Sequence, residues 1–259
     1  MWRGTSVVLI LTALACRANY RDWQTPGCRV DKPDLKILQI SDTHVAIPAD
    51  GVWLREKLKA ALEKHQPDLL IHTGDVTLDG AAHEWRIFES AVRDLKPAPL
   101  LVWGNHDMPL KDSEWKKEGF TRFVEQKNYR LVFLDSAWPG WFKGSYTEVP
   151  ETELSLLSHA AETEKPILLF AHHPLAKDAP GFRLNNADAV LAVFAHKKLS
   201  GVFTGHFHGA YIAPADKTLF AGVTPLTLQR FNHTLSQSKG YRLIELENGC
   251  LRTKHFEVD

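Results

Sequence analysis

Leu100-Leu101-Val102-Trp103-Gly104-Asn105-His106-Asp107, entered through Pro97-Ala98-Pro99, carries four apolar residues straight into Gly-Asn-His-Asp. A short apolar run bounded by turn residues reads as a buried strand. Gly104 lets the backbone turn sharply where a side chain would be in the way. The strand therefore delivers an amide, an imidazole and a carboxylate together at its C-terminal end. Open α/β sheets build their sites at that end. An amide oxygen is a hard donor suited to a metal ion, and the imidazole beside it can handle protons.

The same grammar recurs on both sides. Upstream, residues 35–40 form a mostly apolar strand ending at Asp42-Thr43-His44, and residues 69–71 a second ending at Gly74-Asp75. Downstream, residues 166–170 end at His172-His173-Pro174, and residues 201–203 at Gly205-His206-Phe207-His208. Residues 129–135 are a further strand without such an end. Helical spacing places Leu54, Leu58, Ala61 and Leu62 on one face of residues 53–65, which Pro67 stops. Trp85, Phe88, Ala91 and Leu95 form the stripe of a second helix over 81–95. A charged helix or ordered excursion is expected over 111–126, a helix over 147–164, and a helix capped by Asn186 and reaching His196. From Lys217 the pattern changes to hairpins, with Asn248-Gly249 as the last turn. Strand-then-helix repetition followed by hairpins argues for a layered α/β domain rather than a bundle.

Each motif has a bland alternative. A strand-end Asp often only caps a turn, a His pair often lies in a loop, and a His-x-His can simply pack on one face. Five such ends converge in space if the strands run parallel, and coincidence then explains them poorly. Two Asp, one Asn and four His supply mixed N and O donors, about as many as two metal ions need besides bridging solvent. No thiolate takes part, so the set suits a catalytic centre for Mn, Fe, Zn or Co rather than a structural zinc site.

In the order D-x-H, G-D, G-N-H-D, H and G-H-x-H, these blocks resemble the calcineurin-like metallophosphoesterase family over residues 35–210. The resemblance implies a four-layer α-β-β-α sandwich in a single compact domain, residues 35–259. It implies that Asp42, His44 and His208 hold one metal and that Asn105, His172 and His206 hold the other. Asp75 would bridge them, giving one carboxylate oxygen to each. This branch of the family carries His-x-Pro, so Pro174 gives the ligand role to His172 and leaves His173 as a supporting or loop residue. His106 matches the active-site His that faces the substrate without binding metal, and Asp107 is expected to orient it by a hydrogen bond. The implied reaction is in-line attack of a metal-activated hydroxide on a phosphomono- or diester, with His106 stabilising or protonating the leaving oxygen. Within the family, the chain is most similar to class III cyclic-nucleotide phosphodiesterases and their bacterial relatives. A pyrophosphatase for nucleotides or lipid headgroups is the alternative. A non-catalytic scaffold on this fold tends to lose ligands or the active-site His, and this chain retains them all.

The remainder of the chain describes its setting. In its 259 residues Lys plus Arg and Asp plus Glu are balanced at 31 each, so there is no global basic field for a nucleic-acid polymer. The expected partner is a small phosphoester. Met1-Trp2-Arg3, an uncharged apolar run and Ala13-Leu14-Ala15 follow the grammar of a signal peptide over 1–15, with a buried N-terminal helix as the alternative. The run falls short of the roughly 20 residues that a spanning helix needs. Cleavage after Ala15 leaves Cys16 first, which resembles a bacterial lipobox with Ala13 where Leu is usual. Export to the periplasm is expected, either as a membrane-anchored lipoprotein or by simple secretion. Residues 16–34 read as a tail or linker. Cys28 and Cys250 are either a disulfide or two unrelated thiols. His72 and His83 read as structural and Trp103 as packing. The apolar segments 138–142 and 180–182 either wall the cleft or face a membrane. Purple acid phosphatases carry a Tyr three residues after the bridging Asp, where this chain has Leu78. The iron-loaded protein should therefore show no tyrosinate charge-transfer band in its visible spectrum; a purple preparation would contradict this.

Overall fold

The apolar runs close into two six-stranded sheets. The computed structural model describes residues 22–108, 121–138, 147–177, 179, 183–228 and 238–259. One sheet contains β1 (Asp22–Gln24), β2 (Leu35–Ile40), β3 (Leu69–Thr73), β4 (Pro99–Val102), β11 (Lys239–Glu247) and β12 (Cys250–Val258). The other contains β5 (Arg122–Gln126), β6 (Tyr129–Phe133), β7 (Ile167–Phe170), β8 (Leu199–Thr204), β9 (Tyr211–Ala215) and β10 (Thr218–Gly222). The strand orders are β1-β12-β11-β2-β3-β4 and β5-β6-β7-β8-β10-β9. Pairing is parallel through β2-β3-β4 and through β6-β7-β8-β10, and antiparallel at the remaining ladders.

Alternation along β2 shows how the layers form. Leu35 and Ile37 face the second sheet, while Leu38 and Ile40 face α1 (Pro48–His65) and α2 (Ala82–Val92). Burial on both faces is why such strands read as nearly continuous apolar runs. The outer face of the second sheet is covered by α3 (Glu151–Ala160) and α4 (Ala187–Ala192), through Leu157, Ala160, Ala187 and Val190. Between the sheets Phe133, Phe170 and Phe203 stack across three neighbouring strands, with centroids 5.6 and 5.5 Å apart. The result is the α-β-β-α sandwich that the resemblance implied.

Several elements depart from expectation. Residues 122–126 form a strand rather than the end of a charged helix, because every second side chain turns outward and Arg122 lies over the Phe133 ring at 5.0 Å. Residues 111–120 lie outside the described residues. The helix expected over 147–164 is confined to α3, which begins directly after Pro150. Asn186 does not cap α4 with its side chain. Its Oδ1 accepts from Val149 N at 3.0 Å and its Nδ2 donates to Val149 O at 2.8 Å, clamping the strand-to-helix approach instead. Part of the expected tail belongs to the sheet, since β1 pairs with β12. Cys28 and Cys250 are bonded, closing this junction. The signal segment and Cys16, and the apolar segments 139–142 and 180–182, lie outside the described residues. Among the described residues no helix is long and apolar enough to cross a membrane. Thiol labelling of the unreduced, unfolded protein should modify neither Cys28 nor Cys250; labelling at both would contradict the pairing.

Candidate metal centre

Five loops leave the C-terminal ends of β2, β3, β4, β7 and β8 and meet at one rim, three from the first sheet and two from the second. Convergence is thus across two sheets, not along one. Left-handed backbone directs the side chains inward at Asp42, His44, Asp75, His206 and His208, with φ between 43° and 63°. That conformation costs on the order of 1–3 kcal/mol per non-glycine residue and persists where surrounding bonds over-determine it. Here Asp42 N donates to Gly74 O (2.9 Å), His44 N to Asp75 O (3.0 Å) and Gly205 N to His172 O (3.0 Å). Gly104 has φ −105°, so it needs no unusual conformation. It is glycine because a Cβ there would run into the Asp75 backbone.

The seven expected ligands are all brought together. In one group His44 Nε2 lies 3.1 Å from His208 Nε2, and His208 Nε2 lies 3.2 Å from Asp42 Oδ1. In the other, His172 Nε2 lies 3.1 Å from both Asn105 Oδ1 and His206 Nδ1. Asp75 Oδ2 faces both groups, 3.6 Å from His44 Nε2 and 3.4 Å from His172 Nε2. A bridge between the two groups would thus fall to Oδ2 of Asp75 rather than to one oxygen for each ion. Asp75 Oδ1 is occupied by the backbone N–H of His106 at 2.8 Å. His172 Nδ1 donates to Thr73 O at 2.8 Å, which leaves Nε2 as the lone-pair nitrogen when the ring is neutral. That lone pair then faces the Asn105 carbonyl oxygen, acceptor to acceptor. A proton or a cation between them relieves the contact. The donor set of hard oxygens and imidazole nitrogens fits two Mn, Fe, Zn or Co ions.

Charge reinforces this fit. Burial opposes ionisation of Asp42 and Asp75, but the facing imidazoles outweigh it and hold both carboxyls below the usual range. Burial likewise opposes a charged His172, yet Asp75 and Asp42 push it up to about 9. Burial drives His44 down to about 3 against the pull of Asp75, and it drives His206 well below the usual imidazole value. The two carboxylates thus favour positive charge at the rings that face them, His172 and His208.

Among the residues around these donors, Asp107 departs from its expected part. His106 is half-buried, its ring 4.8 Å from that of His44, and its Nδ1 donates to Leu78 O at 2.6 Å. Leu78 O, not Asp107, therefore orients it. Asp107 was expected to bear on the reaction, but the short turn 105–107 carries its carboxylate back beneath the loop. There it accepts from Gly104 N (2.9 Å), Thr77 N (2.9 Å) and Thr77 Oγ1 (3.0 Å). Burial and the Asp75 charge push it up to about 6. His72 is buried, with Nε2 3.0 Å from Thr43 Oγ1, which fits a structural role, whereas His83 is exposed. Trp103 packs its ring 5.2 Å from Trp85. His173 is buried against His206, closer to the centre than a loop residue. Thr73 and Leu78 escaped sequence reading because each acts through its backbone oxygen, which leaves no trace in the residue type.

Residues 35–210 match the calcineurin-like phosphoesterase family. The chain belongs to that family. It is a metal-dependent phosphoric ester hydrolase with a dinuclear centre. Among its relatives, a probable cyclic nucleotide phosphodiesterase of Synechococcus is 29% identical, over 88% of this chain and 94% of the relative. The 3′,5′-cyclic adenosine monophosphate phosphodiesterase CpdA of Pseudomonas aeruginosa is 29% identical, over 86% and 90%. A dimetal phosphatase from Danio rerio shares the fold with a TM-score of 0.65 at 14% identity, covering 84% of this chain and 94% of that one.

Asp75 and Asp42 push His172 up to about 9 and Asp42 raises His208, so metal competes with protons at both rings. Metal affinity should therefore rise with pH through neutrality, by about tenfold per unit for each proton released. His44, at about 3, is already neutral and adds nothing to this dependence. Calorimetry in buffers of different ionisation enthalpy should detect proton release on loading at pH 7; none would contradict the coupling.

Proposed function

We propose that this phosphoesterase is a phosphodiesterase of the cell envelope acting on small diesters, with 3′,5′-cyclic nucleotides as its substrate class. The observation that carries the reading is the placement of His106. With Nδ1 committed to Leu78 O, its Nε2 is the nitrogen left to meet a leaving oxygen, and its backbone N–H ties it to Asp75, the residue shared by both donor groups. When bound, two ions supply Lewis acidity and an activated water. Asp42, His44 and His208 on one side, and Asn105, His172 and His206 on the other, would hold them. His106 donates the proton that an alkoxide leaving group needs, as general acid. The cyanobacterial and Pseudomonas relatives support the cyclic-nucleotide class, since the alignment spans nearly their whole length.

Two features support export. The first is the signal grammar before Cys16, which would be the site of lipid attachment. The second is the Cys28–Cys250 disulfide, a bond that persists in oxidising compartments. Turnover of cyclic AMP and of bis(p-nitrophenyl) phosphate with Mn should be detectable in the parent. It should be lost by a thousandfold or more in Asp75→Ala. In His106→Ala it should fall about a hundredfold or more, with two metals still bound. Turnover of phosphomonoesters alone would contradict the diester assignment.

A further inference from the structure

We propose that His173 is a positioning residue for the second metal position, holding the ring of His206 so that Nδ1 turns inward, and that Ser136 fixes His173 for this purpose. The inference rests on the two-metal reading above and concerns residues that this reading leaves without a role.

His206 is the odd member of the four imidazoles. His44, His172 and His208 turn Nε2 toward the centre, whereas His206 turns Nδ1, which lies 3.1 Å from His172 Nε2. Nδ1 lies close to the backbone, so a rotation of the ring about its bond to Cβ swings it away and presents carbon instead. The backbone fixes only the start of the side chain, through φ 63° and the donation of His206 N to both oxygens of Asp42 at 3.1 and 3.2 Å. Something must hold the ring itself.

His173 lies where that hold is needed. Its ring centroid is 4.5 Å from that of His206, tilted by 49°, and 5.0 Å from that of His172, edge-on at 86°. It therefore stands against both imidazoles of the second group. One of its ring nitrogens lies within 4.8 Å of a ring nitrogen of each of His172 and His206. The His173 ring is held in turn. Ser136 Oγ accepts the His173 backbone N–H at 3.1 Å and lies 3.0 Å from its Nδ1. One hydroxyl thus grips both the backbone and the ring. Both residues are fully buried at 0% exposure, so neither reaches substrate. Burying an imidazole and a hydroxyl is costly unless they bond to each other, as they do here. The line Ser136, His173, His206 runs from the exit of β6 to the second metal position.

Mn(II) titration of the whole chain, followed by electron paramagnetic resonance and calorimetry, tests the proposal. The parent should bind two ions and show a spin-coupled pair. His173→Ala should weaken the ion at the Asn105–His172–His206 position by about ten- to a hundredfold, as loss of an orienting partner does, and leave the first ion within about twofold. Spin coupling should then disappear at subsaturating Mn while the mononuclear signal remains. Ser136→Ala, which deletes one oxygen, should shift the same affinity in the same direction by a smaller factor; it carries the test if His173→Ala does not fold. Equal weakening of both ions would reduce His173 to a packing residue, and unchanged affinities in both variants would remove its role altogether. A parent that binds no second ion would instead refute the two-metal reading.

Discussion

Everything at this rim answers to one electrostatic constraint: Asp42 and Asp75 are buried carboxylates facing four imidazoles, with Asp75 Oδ2 directed at both groups of donors. A buried carboxylate without a cation is strongly disfavoured. The protein meets that demand partly with a proton on His172, which Asp75 and Asp42 hold up to about 9. Metal ions meet it more fully, since each can be shared by several donors at once. The same constraint accounts for strained backbone at five of the seven expected ligands, where left-handed φ turns short loops inward.

The two-sheet architecture makes the constraint satisfiable. Neither sheet owns a whole site: β2, β3 and β4 bring Asp42, His44, Asp75 and Asn105, while β7 and β8 bring His172, His206 and His208. Polar bonds register one sheet against the other at the rim. Gln39 donates to Thr204 O, His172 donates to Thr73 O, and His206 N donates to Asp42. The stacked Phe133, Phe170 and Phe203 fill the space behind them. Packing thus fixes donor positions before any ion arrives, which is the preorganisation that metal catalysis draws on.

The sequence disclosed the donor residues because each follows an apolar strand and has a chemically distinctive side chain. Asp42, His44, Asp75, Asn105, His172, His206 and His208 all fell where that pattern put them. It disclosed less of what supports them. Leu78 and Thr73 act through carbonyl oxygens that any residue possesses. Asp107 looked like a partner for His106 because they are adjacent, but a tight turn aims adjacent side chains in different directions. Residues 122–126 carry enough charge to pass for a helix, and only the pairing with β6 makes them a strand. Pro174 set His173 apart from His172 in the sequence, but not what His173 supports; the Ser136 contact is a matter of tertiary packing.

The central claim is that Asp75, whose Oδ2 faces both donor groups, would hold two cations together, each completed by donors from both sheets. Anomalous diffraction from Mn-loaded crystals tests it most directly. The account predicts two anomalous peaks about 3.5–4 Å apart, the usual spacing of such pairs, with Asp75 Oδ2 between them and His106 bound to neither. A single peak, or a pair spanned by both oxygens of Asp75 with the His106 backbone bond broken, would contradict it.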